Sequence, residues 1–487
     1  LEFRRVLFRS LLAINIGGAL QPLFDVGSVA LFVHGIQWIG YTLHFPDWLT
    51  IFLAQGLGGG INTVLPLVPQ IGMMYLFLSF LEDSGYMARA AFVMDRLMQA
   101  LGLPGKSFVP LIVGFGCNVP SVMGARTLDA PRERLMTIMM APFMSCGARL
   151  AIFAVFAAAF FGQNGALAVF SLYMLGIVMA VLTGLMLKYT IMRGEATPFV
   201  MELPVYHVPH VKSLIIQTWQ RLKGFVLRAG KVIIIVSIFL SAFNSFSLSG
   251  KIVDNINDSA LASVSRVITP VFKPIGVHED NWQATVGLFT GAMAKEVVVG
   301  TLNTLYTAEN IQDEEFNPAE FNLGEELFSA VDETWQSLKD TFSLSVLMNP
   351  IEASKGDGEM GTGAMGVMDQ KFGSAAAAYS YLIFVLLYVP CISVMGAIAR
   401  ESSRGWMGFS ILWGLNIAYS LATLFYQVAS YSQHPTYSLV CILAVILFNI
   451  VVIGLLRRAR SRVDVELLAT RKSVSSCCAA STTGDCH

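Results

Sequence analysis

Apolar residues run through this chain in long blocks, and the length of the blocks is the first clue to what it is. A helix that crosses the hydrocarbon core of a bilayer needs about 20 mainly apolar residues. Residues 61–81, 135–161, 166–187, 379–399, 408–429 and 437–456 meet that pattern, and 232–246 is a shorter version whose flanking Lys231 can reach the interface along its aliphatic stem. Trp, Tyr, Lys and Arg gather at many block ends, as interfacial anchors do. Residues 25–46, carrying His34, Trp38, Tyr41 and His44, read instead as an amphipathic interfacial or short tilted helix.

Two further blocks are apolar but too interrupted for a continuous helix. Residues 108–123 contain Pro110, Gly114, Gly116 and Pro120. Residues 284–305 fail on parity. Six Lys/Arg against two acids between Arg457 and Lys472 put the C-terminus in the cytoplasm. Counting back through three helices leaves residue 375 outside, while the basic stretch from Lys188 to Lys231, with seven Lys/Arg and two acids, is cytoplasmic. The block 284–305 must therefore enter and return. Such re-entrant backbone is tolerated at membrane depth only where it lines a cavity, and a pair of broken segments in corresponding halves points to a transporter's site.

Each broken block precedes a crossing helix with a proline and a cysteine: Pro142, Cys146 and Arg149 in the first half, Pro390, Cys391 and Arg400 in the second. The expected fold is all-α and polytopic, with two inverted repeats containing broken or re-entrant helices. The division is 11–190 for the first repeat, 191–231 for a basic cytoplasmic linker, and 232–305 for a spanning helix, loop and second broken segment. An acidic Gly/Met-rich loop at 306–375 follows, then 376–456 for the closing helices and 457–487 for an Arg-rich, Cys-containing cytoplasmic tail. Residues 1–10, with three arginines in an apolar context, read as a foreign or truncated start.

Composition agrees with the pattern. Of 487 residues 55% are hydrophobic and 13% charged, about half the charge of a soluble domain. A net charge of -1 gives no basic excess for a nucleic-acid partner. Seven cysteines in this length exclude a disulfide scaffold.

Candidate chemistry lies at the breaks. Gly116-Cys117-Asn118-Val119-Pro120 puts a thiol and a carboxamide on unwound backbone, whose freed carbonyls can add ligands. Buried cysteines more often simply pack, and that reading stays open. With Cys146 and Cys391 beside Pro142 and Pro390, three intramembrane thiols suit a soft or borderline divalent ion better than Mg²⁺ or Ca²⁺. Cys441, in an unbroken block, reads as packing. Lys295 and Glu296, between Gly291 and Gly300, are either a charged site or a pair locking helices. Gly116, Pro120, Pro142, Gly291, Gly300 and Pro390 are the candidate gating positions.

Other signals are weaker. Residues 100–107 mimic a phosphate-binding loop, but no strand precedes Gly105-Lys106-Ser107, so no nucleotide site is expected. The seven histidines form no ligand cluster. Residues 356–373, with Met360, Met365 and Met368, read as a flexible linker. Cys477, Cys478, Cys486 and His487 read as part of a disordered tail.

Four motifs in order carry a resemblance: residues 114–128 (GFGCNVPSVMGARTL), 142–149 (PFMSCGAR), 287–296 (GLFTGAMAKE) and 386–391 (LLYVPC). Together they resemble the membrane domain of bacterial ferrous iron transport protein B, in a form similar to that of enteric bacteria, from about residue 11 onward. The resemblance implies a multi-pass inner-membrane Fe²⁺ importer with two gate-type repeats, similar in architecture to concentrative nucleoside transporters. It also implies an N-terminal GTP-binding domain in the full-length proteins, small cytoplasmic Feo partners and self-association. Fe²⁺ is then cargo, with no resident cofactor and no enzyme activity expected of this stretch. The family's membrane cysteines map onto Cys117, Cys146 and Cys391, with Asn118 and Glu296 as further candidate ligands. Two rivals remain: a gate-fold carrier of an organic solute, and a thiol oxidoreductase, which the lack of a C-x-x-C near these three thiols disfavours.

Overall fold

The structure is a computed structural model that describes residues 17, 19–46, 49–50, 52–192, 209–245, 259–293, 295, 297–307, 323–341, 362–432 and 434–480. Every regular element among them is helical. Seven of the described helical stretches are long and apolar enough to cross a membrane.

Among the described residues the first two long helices are α1 (Gln21–Thr42) and α2 (Phe52–Asp83), both of spanning length. In the first, which holds most of the residues 25–46 read as an interfacial or short tilted helix, two short helices are fused through a wider turn at Val29–His34 into one 22-residue rod that is also long and apolar enough to cross a membrane. α3 (Tyr86–Leu101) stops at Gly102, whose φ of +78° suits a left-handed C-terminal cap. The phosphate-loop mimic follows it as a single 3₁₀ turn at Gly105–Ser107, with the Gly105 N–H donated to Asp95 Oδ1 at 2.7 Å. Helix, turn and helix replace the strand that a phosphate loop needs.

The first broken block is a helical hairpin, α4 (Phe108–Val113) against α5 (Asn118–Gly124). The crossing helix after it is also broken, into α6 (Pro131–Met140) and α7 (Gly147–Phe160), and is followed by the unbroken 26-residue α8 (Gly165–Thr190). α9 (Val211–Phe225) lies within the stretch read as a linker and continues through a wide turn at Val226–Gly230 into α10 (Lys231–Ser245). Thus the short block at 232–246 is the end of a longer rod that packs along α2.

The second half repeats the order. After α11 (Ala260–Ile268), the hairpin is α12 (Trp282–Met293) against α13 (Val297–Thr307). The acidic stretch contributes two helices, α14 (Leu323–Thr341) and α15 (Thr362–Phe372). Met368 and Phe372 of α15 are fully buried in the core, so the part of 356–373 that is described is a packed helix, not a linker. Met360 lies outside the described residues. A broken crossing helix, α16 (Ala375–Leu387) and α17 (Ile392–Glu401), leads to the unbroken 26-residue α18 (Arg404–Ala429). α19 (Pro435–Ala480) spans and then runs on as helix through Cys477 and Cys478, where a disordered tail was expected; Cys486 and His487 lie outside the described residues.

Hairpin, broken crossing helix and unbroken helix therefore occur twice in the same order. Aromatic packing joins the halves: Phe156 stacks on Tyr381 at 5.3 Å, and Phe372 meets Phe156, Phe160 and Tyr381 edge-on. On the face shared by α5 and α17, Arg126 grips the nearly buried Glu401 through two hydrogen bonds, Nε at 2.6 Å and Nη2 at 2.5 Å. That contact, more than anything else nearby, pushes the Arg126 guanidinium above its ordinary range.

Each unbroken helix brings a glycine against the break of its own half. A Cβ on Gly176 of α8 would stand 2.9 Å from the Phe143 carbonyl oxygen, and one on Gly414 of α18 3.2 Å from those of Leu387 and Tyr388. Backbone cannot yield as a side-chain tip can. Gly176→Leu is expected to destabilise the protein by about 1–3 kcal/mol, the usual cost of overpacking. Gly408→Leu, on the same kind of helix but with open space around it, is the control. Thermal unfolding in detergent followed by tryptophan fluorescence checks this; equal midpoints for the two variants would refute the close-packing account.

Candidate functional site

The three candidate cysteines share one structural position. Cys117, Cys146 and Cys391 each have extended backbone and each is the N-cap of the half-helix that follows a break: α5, α7 and α17. Proline produces this arrangement locally. Pro142 sits in the 3₁₀ turn that ends α6, Pro390 directly precedes its N-cap cysteine, and Pro120 falls in the first turn of α5, where its missing N–H costs nothing. A thiol at such a position lies at the positive end of the helix dipole, among N–H groups without intrahelical partners. The fourth half-helix, α13, begins at Val297. Its preceding residue in sequence, Glu296, lies outside the described residues.

The two breaks of the first half touch. The Gly147 N–H donates to the Gly116 carbonyl at 3.3 Å, which brings the backbone beside Cys117 to that beside Cys146. The buried Asn118 carboxamide closes the same space. It donates to Met144 O at 3.3 Å in one amide orientation, and to Ala141 O at 3.1 Å and Gly114 O at 3.0 Å in the other. All of these bonds use the amide nitrogen, whereas the amide oxygen is the atom that a metal ion would take.

Arg149 completes the first half. Its side chain is fully buried, and Nη1 donates to both Pro142 O and Met144 O at 3.0 Å. These are carbonyls left over where α6 ends, so the guanidinium satisfies them and offsets the negative end of that half-helix. Nε and Nη2 have no hydrogen-bond partner among the described residues.

In the second half, Lys295 lies in the turn between α12 and α13 with Nζ 4.9 Å from the centre of the Tyr388 ring, a cation–π contact. Gly291 faces the Tyr388 hydroxyl so closely that a Cβ would be 2.5 Å from it. Gly300 differs, because a Cβ there would meet nothing within 4 Å. Tyr388 also stands within electrostatic reach of Arg149 and Cys391, and so links the breaks of the two halves. Tyr75 and Tyr173 stand in the same relation to Cys117 and Cys146.

None of the four described membrane cysteines is in a disulfide. Among the described residues no three His, Cys, Asp or Glu side chains come together as a metal-holding group, so the three thiols do not form one closed cage. Cys441 lies in the continuous α19. Arg149 and the tyrosines were not chosen from sequence. An arginine inside an apolar block was a signal for the first; the tyrosines gave none.

This arrangement of broken helices is matched by a known family model. A model described as nucleoside recognition, named Gate, covers residues 64–160 and 226–404, more than half of the chain. The chain belongs to the Gate family. Both Gate segments contain a hairpin and a broken crossing helix, and the interval between them holds a match, at residues 169–221, to a model described as ferrous iron transport protein B C terminus. The chain is 99% identical over 477 residues to the Fe(2+) transporter FeoB of Shigella flexneri and 94% identical to that of Salmonella typhimurium, covering 98% of this chain in both cases. It is 48% identical over 458 residues to the Fe(2+) transporter FeoB of Legionella pneumophila. This Gate chain spans 62% of the length of the two enteric relatives and 59% of the third. No solved structure matches it.

The role given to Arg149 is testable by stability. Arg149→Met keeps the volume and removes every donor, and is expected to cost about 1–3 kcal/mol for each carbonyl left unsatisfied. Arg149→Lys keeps the charge without the fork and falls between Met and the native residue. Chemical denaturation in detergent measures both; native stability in Arg149→Met would remove the guanidinium from its assigned role.

Proposed function

We propose that this chain is the membrane portion of a ferrous iron importer of the bacterial inner membrane, and that Cys117, Cys146 and Cys391, with Glu296 as charge partner, line the ion's path. The observation that carries this reading is the common N-cap position of the three thiols. Each thiol stands at the break of a membrane helix, the place where transporters built from discontinuous helices let a partly dehydrated ion exchange water for protein ligands. The names of the relatives support Fe²⁺ as cargo. Thiols ionise to hold a borderline divalent cation, and carbonyls with one carboxylate complete the shell weakly enough for release. Ligands spread over separate breaks, not fixed in one cage, suit an ion that must also leave.

The two repeats, 11–190 and 232–456, would rock around this centre. Coupling to the N-terminal GTP-binding domain implied by the family resemblance, contacts with small cytoplasmic Feo proteins and self-association belong to the same proposal. The description of the Gate model favours a second reading, transport of a nucleoside-like solute. Such a site needs amides, carboxylates and aromatics converging on a ligand.

Anaerobic Fe²⁺ uptake into vesicles, with and without the N-terminal portion that the relatives carry, tests the proposal. Cys117→Ser, Cys146→Ser and Cys391→Ser are each expected to lower uptake by about tenfold or more at equal protein level, the scale on which altered metal sites lose affinity. Cys441→Ser should leave it unchanged. If all four variants behave alike the thiols are not ligands, and if uridine rather than Fe²⁺ is taken up the second reading holds.

The same proposal fixes orientation, with the C-terminus cytoplasmic and residues 306–375 periplasmic. A reporter cysteine at position 320 should react with an impermeant maleimide in intact cells, and one at position 460 only after permeabilisation. The reverse pattern would invert the topology.

A further inference from the structure

The helix α14, inside the acidic stretch, is divided lengthwise into three flanks of different chemistry. One packs on α1: Ala330 is fully buried, Leu327 lies over Gly27, and the Glu326 carboxylate is 2.9 Å from His34 Nδ1. The second carries Glu325, Ser329, Asp332 and Gln336, all exposed, with Gln336 donating to Asp332 at 2.9 Å. The third carries Phe328, Val331 and Trp335, which are 75%, 56% and 55% exposed. At 100° per residue these three fall within 60° of one another and stand between the packed and acidic flanks.

A soluble loop helix has no use for two apolar flanks. The packed one is accounted for by α1, and the other ends in a Trp335 ring with the Lys339 ammonium 5.3 Å from its centre, the pairing of aromatic and snorkelling base found at a membrane boundary. The helix that α14 covers is itself of spanning length with exposed Leu23 and Leu31, so α14 lies against an element that has an apolar surface of its own. We propose that the Phe328–Val331–Trp335 flank is immersed in the bilayer's interfacial zone, making α14 a membrane-seated helix clamped to α1 with its acidic flank toward water. A lipid surface fits better than a protein groove because apolar and acidic flanks run parallel along the whole helix, as they must for a rod lying at an apolar–aqueous boundary.

Photo-crosslinking in lipid nanodiscs tests this. A benzophenone amino acid is placed singly at 328, 331 or 335, and as controls at 325, 332 or 336, in the full chain. Elution as a single species confirms folding of each variant, and mass spectrometry reads the adducts. Several-fold more lipid adduct at the first three positions than at the controls is expected. Equal and low lipid adduct at all six would mean that the flank faces water, and a crosslinked dimer from 328, 331 or 335 would assign it to a second copy of the chain; either result overturns the proposal. Brominated-lipid quenching of a variant whose only tryptophan is Trp335 gives an independent reading, and absence of quenching would also refute it.

Discussion

Everything distinctive in this fold follows from the rule that backbone polar groups inside a bilayer need partners within the protein. An unbroken helix meets that rule unaided. The four broken elements here violate it, and in the first half the structure answers both violations with named groups. Gly116 O receives the Gly147 N–H, Pro142 O and Met144 O receive Arg149, and the Asn118 amide bonds to carbonyls of the same breaks. Close backbone approach at Gly176 and Gly414 packs an unbroken helix against a break in each half. Broken helices survive here because they are buried against unbroken ones.

How much of this was readable from sequence varied with the physics behind each signal. Helix breaks are local, written in Gly114, Gly116, Pro142 and Pro390, and the structure breaks the helices beside those residues, while Pro120 is absorbed in the first turn of α5. The spanning blocks were equally local except at the ends. Within α1 the sequence shows His34 and Asp25 as polar interruptions, and their partners, Glu326 of α14 and Asn62 of α2, come from other elements that no local pattern reveals. The α9–α10 rod was divided because basic residues suggested a loop, though helices carry lysine on exposed faces without difficulty. In the acidic stretch, Met368 and Phe372 pack against Phe156 and Tyr381 from distant parts of the chain, a long-range fact that no window of sequence contains.

The candidate site shows the same division. That Cys117, Cys146 and Cys391 are special was visible in their neighbours, since each lies beside a helix breaker. That all three are N-caps of half-helices was not, because the cap position depends on which residue resumes helical geometry after the break. The tyrosines beside them come from other elements altogether. Tyr75 belongs to α2, Tyr173 to α8 and Tyr388 to the break that follows α16.

Charge is the remaining constraint. Two cationic side chains, Arg149 and Lys295, approach Tyr388 from opposite halves of the molecule, at a depth where fixed charge is costly and where a cation is proposed to pass. Alone they would repel it. Opposing them are the two carbonyls that Arg149 already holds and the electron-rich face of Tyr388 beside Lys295. Each cation is therefore partly neutralised by a group that belongs to a break, and the breaks of the two halves share Tyr388. On the proposed path, the positive charge that Arg149 and Lys295 leave is what Glu296 and the thiolates would have to offset. In that proposal the two resident cations hold the affinity down, and a site with limited affinity is one that a transported ion can leave.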